Sequence, residues 1–295
     1  MTIQRTDAAG GLSLYSRAAH NSSAGIIREY STSFGTATRL LSPQIRPHIE
    51  NIYGLVRIAD EVVDGAAAAA GLDVDAQRAL LDALETETER TLDTGYSTNL
   101  TVHSFAVSAR ALGFGTELTR PFFASMRRDL NPAAFTAEGV REYIYGSAEV
   151  IGLMCLKAFL FGVPCDTVQR ERLENGARRL GSAFQKINFL RDLRADWNDL
   201  GRNYFPHLDP DRLTETQKLE VIADIESDLD AAAAVIPELP QTCRLAVRAA
   251  HGLFAALTAR VRATPAAELL TARIRVSNAG KLAIVLAAAT HGRAR

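Results

Sequence analysis

Two short acidic segments hold most of the chemistry legible in this chain: Asp60-Glu61-Val62-Val63-Asp64 and Asp192-Leu193-Arg194-Ala195-Asp196. Each carries carboxylates four residues apart. On an α-helix that spacing puts both side chains on one face, about 6 Å apart along the axis. Such a pair can hold a hard divalent cation through its oxygens, and two pairs facing each other across a cavity can hold several cations and, through them, a diphosphate. Carboxylates alone would repel phosphate oxygens, so the pattern predicts Mg²⁺, with Mn²⁺ as a substitute, between protein and ligand. A lone DxxxD on a helix is ordinarily a solvated face. Two copies, each beside an apolar stripe and each with an arginine nearby, favour the diphosphate–Mg²⁺ site.

The residues around the two pairs extend the pattern. Gln185, Asn188, Asp192 and Asp196 follow steps of three, four and four and form one polar stripe, with Ala183, Ile187 and Leu190 on an adjoining apolar one. Amide and carboxylate oxygens together suit Mg²⁺. Arg191 lies beside this stripe, and Arg57 lies in the first acidic helix. Guanidinium groups match phosphate oxygens with paired hydrogen bonds. Gly201-Arg202-Asn203-Tyr204-Phe205-Pro206 adds Arg202 and Tyr204. In the first helix Ile45, Ile49, Ile52, Val56, Ala59 and Val63 form an apolar stripe. Tyr53, Arg57, Asp60 and Asp64 form a second, about 100° around the axis. One side is expected in the core and the other, polar and aromatic, in a cavity.

Helical signals position these stripes. Ser42 as N-cap and Pro43 at the first helical position predict a helix to about Asp64, ended by Gly65. Further helices are expected over 23–39, 73–93, 98–112, 116–129, 136–161, 166–200, 214–234, 240–262 and 265–290. Ala66–Gly71 reads as a flexible connection and Gly201–Pro210 as a loop. No sustained period-2 alternation occurs. The expected fold class is all-α, with helices around a central cavity in one domain over 23–295, preceded by an N-terminal extension over 1–22.

Bulk properties exclude several alternatives. The chain has 295 residues, 47% of them hydrophobic, enough for a sizeable core. Lys and Arg number 33 against 34 Asp and Glu, and the basic residues are scattered, so no nucleic-acid partner is expected. Cys155, Cys165 and Cys243 show no CxxC spacing and read as reduced core residues in a cytoplasmic protein. His20, His48, His103, His207, His251 and His291 show no metal-ligand spacing, and Trp197 reads as packing. No secretory pattern opens the sequence, and the apolar runs Ile151–Val163 and Leu282–Ala289 are too short to span a bilayer.

Five segments, in order, resemble the squalene/phytoene synthase family. Tyr30-Ser31-Thr32-Ser33-Phe34 is similar to its Y/H-x-x-S-F segment. Tyr53 to Asp64 is similar to Y-x-x-x-R-x-x-D-x-x-x-D, and Tyr143 to Gly152 to Y-C-Y-x-x-A-G-x-V-G. Gln185 to Pro206 is similar to Q-x-x-N-x-x-R-D-x-x-x-D followed by G-R-x-Y-x-P. Arg275-Val276-Ser277 and Lys281-Leu282 are similar to R-V-S…K-L.

The resemblance implies an all-α isoprenoid-synthase fold and a magnesium-dependent head-to-head condensation of two allylic prenyl diphosphates. It implies Asp60, Asp64, Asn188, Asp192 and Asp196 as metal ligands. It implies Tyr53, Arg57, Gln185 and Arg191 as diphosphate ligands, Arg202 and Tyr204 as further substrate contacts, and Tyr30, Ser33 and Phe34 around the mouth. Phe34, Tyr53, Tyr143 and Phe184 are candidates to face an allylic cation, and the released diphosphate is the expected proton acceptor. Two geranylgeranyl diphosphates giving phytoene through prephytoene diphosphate, in carotenoid biosynthesis, is the expected reaction. A farnesyl diphosphate substrate giving squalene or dehydrosqualene is the alternative. An amphiphilic substrate and a hydrocarbon product imply peripheral contact with the inner face of a membrane through an apolar rim. Protein partners are not legible.

Some positions depart from the family pattern. Thr32 stands where relatives carry Lys, Ile144 where Cys is usual, and Glu149 replaces a glycine, where it either narrows the cavity or makes a salt bridge. Phe254 stands near a family Tyr. Head-to-tail prenyltransferases and terpene cyclases are disfavoured, since Asp60 and Asp192 are not followed by a second aspartate. A non-catalytic assembly role is disfavoured because the aspartates, Asn188, Arg57 and Arg191 are all retained.

Overall fold

The computed structural model describes residues 8–131, 135–209, 211–271 and 274–291. Its helices are α1 (Ala8–Tyr30), α2 (Thr32–Thr38), α3 (Arg46–Val63), α4 (Ala66–Ala69), α5 (Val74–Thr94), α6 (Leu100–Leu112), α7 (Thr116–Asp129) and α8 (Ala137–Ile144), then a π turn (Tyr145–Glu149). There follow α9 (Val150–Phe159), α10 (Thr167–Leu200), α11 (Glu215–Val235), α12 (Gln241–Ala263), α13 (Ala266–Leu269) and α14 (Asn278–His291), with a 3₁₀ turn (Ile236–Glu238) before α12. Among the described residues there is no strand, as the all-α reading expects.

Local chemistry sets many of the boundaries. Asp73, Asn99, Thr136 and Asp166 each cap a helix start by accepting a main-chain N–H. Thr214 and Gln217 form a reciprocal capping box on α11. Gly201 ends α10 in the left-handed region at φ 65°, turning the chain into the loop that carries Arg202 and Tyr204.

Several expected boundaries are corrected. The helix expected over 23–39 is two: α1 begins at Ala8, and Ser31 breaks the run by capping α2 through Phe34 N–H. Residues 8–22, within the extension expected over 1–22, are the first two thirds of α1; Tyr15 Oη donates to Ser97 O and Ala19 is fully buried. Ser42 is not the N-cap of α3. That cap is Ile45, without a side-chain bond, and Pro47 rather than Pro43 lies in the first turn. Ala66–Ala69 is a short helix rather than a flexible connection. The helix expected over 136–161 contains the π turn, and 265–290 is α13 and α14 with non-helical residues between them.

Three core clusters surround the helix interfaces. The first joins Ile187, Leu190 and Leu193 of α10 to Ile222, Ile225 and Leu229 of α11. The second joins Ile52, Leu55 and Ala59 of α3 to Phe105, Phe122, Phe123, Val150 and Met154. The third gathers Leu41, Ile45, Leu156, Leu173, Ile236, Leu239 and Val247. On α3 the core stripe therefore includes Leu55, while Ile49 and Val56, expected in that stripe, line a cavity. Trp197 is 39% exposed, so the packing role expected for it is not found.

Two features lock α10 in place. A Cβ on Gly152 would lie 2.5 Å from Ala177 O, and one on Gly181 would lie 2.6 Å from Ala148 O, so α10 rests directly on α9 and the π turn. On its other side, the fully buried Asp228 of α11 accepts from Arg179 Nη1 at 2.5 Å, Ser182 Oγ at 2.7 Å and Lys186 Nζ at 2.8 Å. No helix of the described residues is long and apolar enough to cross a membrane.

Candidate active site

A cavity of about 1090 Å³ lies among these helices, and both acidic stripes line it. From α3 come Tyr53, Arg57, Asp60 and Asp64; from α10 come Gln185, Asn188, Arg191, Asp192 and Asp196. The α1–α2 break supplies Tyr30 and Phe34, and the loop after α10 supplies Arg202 and Tyr204. Every candidate side chain named from the sequence is thus brought to one cavity except Ser33, whose side chain lies outside the described residues. Arg275 and Lys281 line it as well.

Arginines hold the carboxylates. Arg57 Nη1 is 2.5 Å from Asp60 Oδ2 and 3.3 Å from Glu61 Oε1. Its guanidinium carbon lies 5.1 Å from the Tyr30 ring centroid and 5.9 Å from that of Tyr53. Among the described residues Arg57 Nε is buried without a hydrogen-bond partner. Arg191 grips Asp192 with both arms of its fork, Nε to Oδ1 at 2.9 Å and Nη2 to Oδ2 at 2.5 Å. Arg202 Nη1 is 2.6 Å from Asp64 Oδ1. Arg202 is buried and paired within the protein, and it lines the cavity.

Asp129, at the end of α7, was not found by spacing. Tyr143 Oη donates to its Oδ2 at 2.8 Å and Tyr204 Oη to its Oδ1 at 3.1 Å. Tyr204 also stacks on Phe189, with ring centroids 3.9 Å apart. Asp129 belongs to no repeated motif, and after Arg127 and Arg128 it reads as an ordinary charged helix end.

The site is crowded with negative charge. Burial and the neighbouring Asp64 push Asp60 up to about 7, although Arg57 opposes the shift. Burial, Asp192 and Asp64 push Asp196 up to about 7, so the two acidic helices repel each other's charge across the cavity. Burial pushes Asp129 up to about 7 against the pull of Arg202. Among the described residues no three Asp, Glu, His or Cys side chains already close on one point; Asp60, Asp64 and Asp192 face arginines instead. The donor set is nonetheless oxygen-rich and holds excess negative charge that a hard cation would relieve. The residues fit Mg²⁺.

The remaining lining is apolar. Phe184 and Phe254 stack at 3.6 Å, and Phe34 leans on both at 6.0 and 5.9 Å. Phe254 is thus part of an aromatic wall, and Tyr143 lines the cavity with its hydroxyl turned to Asp129. Cys155 lines it too, and burial pushes its thiol up to about 12. Glu149 makes a salt bridge to Arg178, Nε to Oε2 at 2.6 Å, and does not line the cavity, which decides between the two roles expected for it.

Known proteins are similar to this chain in fold and sequence. A 15-cis-phytoene synthase from Paracoccus is 28% identical over 273 residues, covering 88% of this chain and 87% of its own. A 4,4'-diapophytoene synthase from Staphylococcus haemolyticus is 29% identical over 181 residues, covering 61% of this chain and 59% of its own. A dehydrosqualene synthase crystal structure superposes with a TM-score of 0.78 at 20% identity, covering 95% of this chain and 98% of its own, which shows the shared fold. The family model for squalene/phytoene synthase matches residues 27–279, spanning all of the segments that line the cavity from Tyr30 to Val276, and the chain belongs to that family.

Proposed function

We propose that this protein condenses two allylic prenyl diphosphates head to head, and that its substrate is geranylgeranyl diphosphate, giving phytoene. One observation carries the reading: two acidic helix faces and four arginines line the same cavity whose remaining wall is largely aromatic and aliphatic. Such a cavity accepts a charged headgroup and alkyl tails together.

In this reading Asp60, Asp64, Asn188, Asp192 and Asp196 would hold Mg²⁺, which neutralises charge on the leaving diphosphate when bound. Arg57 and Arg191 exchange part of their carboxylate contacts for diphosphate oxygens, with the unpartnered Arg57 Nε as the first donor offered. Tyr30 and Tyr53 keep the Arg57 guanidinium in place through its flat face. Loss of diphosphate leaves an allylic cation, and the Phe34–Phe184–Phe254 wall faces it with π-electrons while keeping water away. The π-bond of the second prenyl chain then supplies the electrons for the new C–C bond. That bond forms as one proton leaves, giving prephytoene diphosphate; loss of its own diphosphate and of a second proton then gives phytoene, and both protons go to released diphosphate, since among the described residues no lining His or Glu is placed to take them.

The chain-length assignment rests on the phytoene synthase relative that matches most of this chain. The diapophytoene synthase relative makes farnesyl diphosphate the competing substrate. Incubation with each diphosphate and Mg²⁺, followed by extraction of hydrocarbon products, tests both. Turnover of the farnesyl substrate alone would remove the phytoene assignment. We also propose reversible contact with a membrane surface for product release, to be tested by co-sedimentation with liposomes; no sedimentation at any lipid composition would remove it.

A further inference from the structure

Asp129 is the last residue of α7, and its side chain is only 4% exposed. Its carboxylate receives the hydroxyls of Tyr143 and Tyr204 and lies 3.7 Å from Arg202 Nη1. Its main-chain carbonyl accepts from Arg202 Nη2 at 2.9 Å. Arg202, with a side chain 8% exposed, also bonds Asp64 Oδ1 and, at 3.1 Å, Val63 O. The ends of α3 and α7, Tyr143 of α8 and the loop after α10 therefore meet at one buried acid.

Two tyrosine hydroxyls would be satisfied by any acceptor; a buried guanidinium requires a counter-charge. Asp64 supplies one, but its side chain is 41% exposed and lines the cavity. If Asp64 turns to a cation, Arg202 would be left buried and unpaired without a second carboxylate. We propose that Asp129 is a positioning residue: it retains Arg202 independently of Asp64, and so fixes the separation of the α3 and α10 acidic faces while Asp64 engages ligand. The assignment rests on reading the cavity as a diphosphate site.

Hydrogen exchange on the unligated protein tests the clamp directly. Asp129→Asn preserves shape and removes the charge. It is expected to speed exchange in the last turn of α3 and in 201–206, with helix content by circular dichroism unchanged. Tyr143→Phe/Tyr204→Phe removes the hydroxyls, keeps the charge and is expected to leave those segments protected. Asp64→Asn is expected to leave 201–206 protected because Asp129 still holds Arg202. Wild-type exchange in Asp129→Asn overturns the proposal, as does equal loosening of 201–206 in Asp64→Asn. Calorimetric titration with Mg²⁺ and inorganic diphosphate gives a second readout, with about 10-fold weaker binding expected for Asp129→Asn. Failure of the wild-type protein to bind diphosphate would sink the functional reading, while the exchange data would still decide the role of Asp129.

Discussion

The Arg202 guanidinium meets the Asp64 carboxylate at 2.6 Å across 138 residues of chain. This contact ties the end of one acidic helix to the loop that follows the other. Arg202→Met would strand the buried Asp129 without its cation, and the expected loss is about 3–5 kcal/mol of unfolding free energy in urea titration. The loss should be smaller at pH 6 than at pH 8, because burial pushes Asp129 up to about 7 even against the pull of Arg202, and without that pull it takes up a proton more readily.

Unligated stability should fall as pH rises towards 8. Asp60, Asp129 and Asp196 are each pushed from 3.8 up to about 7 in the folded chain. Between those values the folded state binds more protons than the unfolded state, so rising pH favours unfolding. Thermal denaturation at pH 6 should therefore give a higher Tm than at pH 8, and Mg²⁺ with diphosphate should stabilise more at pH 8 than at pH 6. A Tm independent of pH across this window would contradict the crowding described for the cavity.

Asp60→Asn and Asp192→Asn should each lower turnover by orders of magnitude. A solvated carboxylate would contribute nothing to stability either way, but Asp60 is largely withdrawn from water and repelled by Asp64. The neutral amide removes that repulsion, so the Asp60→Asn protein should melt at or above the wild-type Tm at pH 8. Unchanged turnover in both variants would end the metal-ligand assignment.

The close contact of α9 with α10 leaves no room for side chains. Gly152→Ala places a methyl group against the Ala177 main chain, where only backbone movement can relieve the clash. Overpacking of this kind costs about 1–3 kcal/mol, readable as a lower Tm and urea midpoint. Because both helices line the cavity, KM for the prenyl substrate should rise as well.

Asp228→Ala removes the shared partner of Arg179, Ser182 and Lys186, far from any cavity-lining acid in sequence. Arg179 is half exposed and Lys186 retains Asp224 at 2.6 Å, which softens the loss to about 2–3 kcal/mol. The loss is readable as a lower urea midpoint.

The cavity was legible because its key residues repeat a four-residue step on helices, and that step fixes a shared face before any tertiary contact is known. The stripe from Gln185 to Asp196 follows from period alone, with Ile187 and Leu190 fully buried beside it. The start of α3 was misread because Ser42-Pro43 has the local form of a cap, whereas Ser42 sits in a turn in which its carbonyl accepts from Ile45 and Arg46. Asp129 was invisible because its meaning comes from Tyr143, Arg202 and Tyr204, partners supplied by two other parts of the chain. The π turn has no sequence signature of its own, since a single widened turn is too short to establish a period.

Cys155 shows what the burial of this wall means for the enzyme's own survival. A sulfur anion in contact with an allylic electrophile would be alkylated, and each event would permanently inactivate one molecule. With its thiol pushed up to about 12, Cys155 stays protonated at neutral pH and is a poor trap. The same oily surroundings that receive the prenyl tails thus guard the catalyst against suicide by its own chemistry.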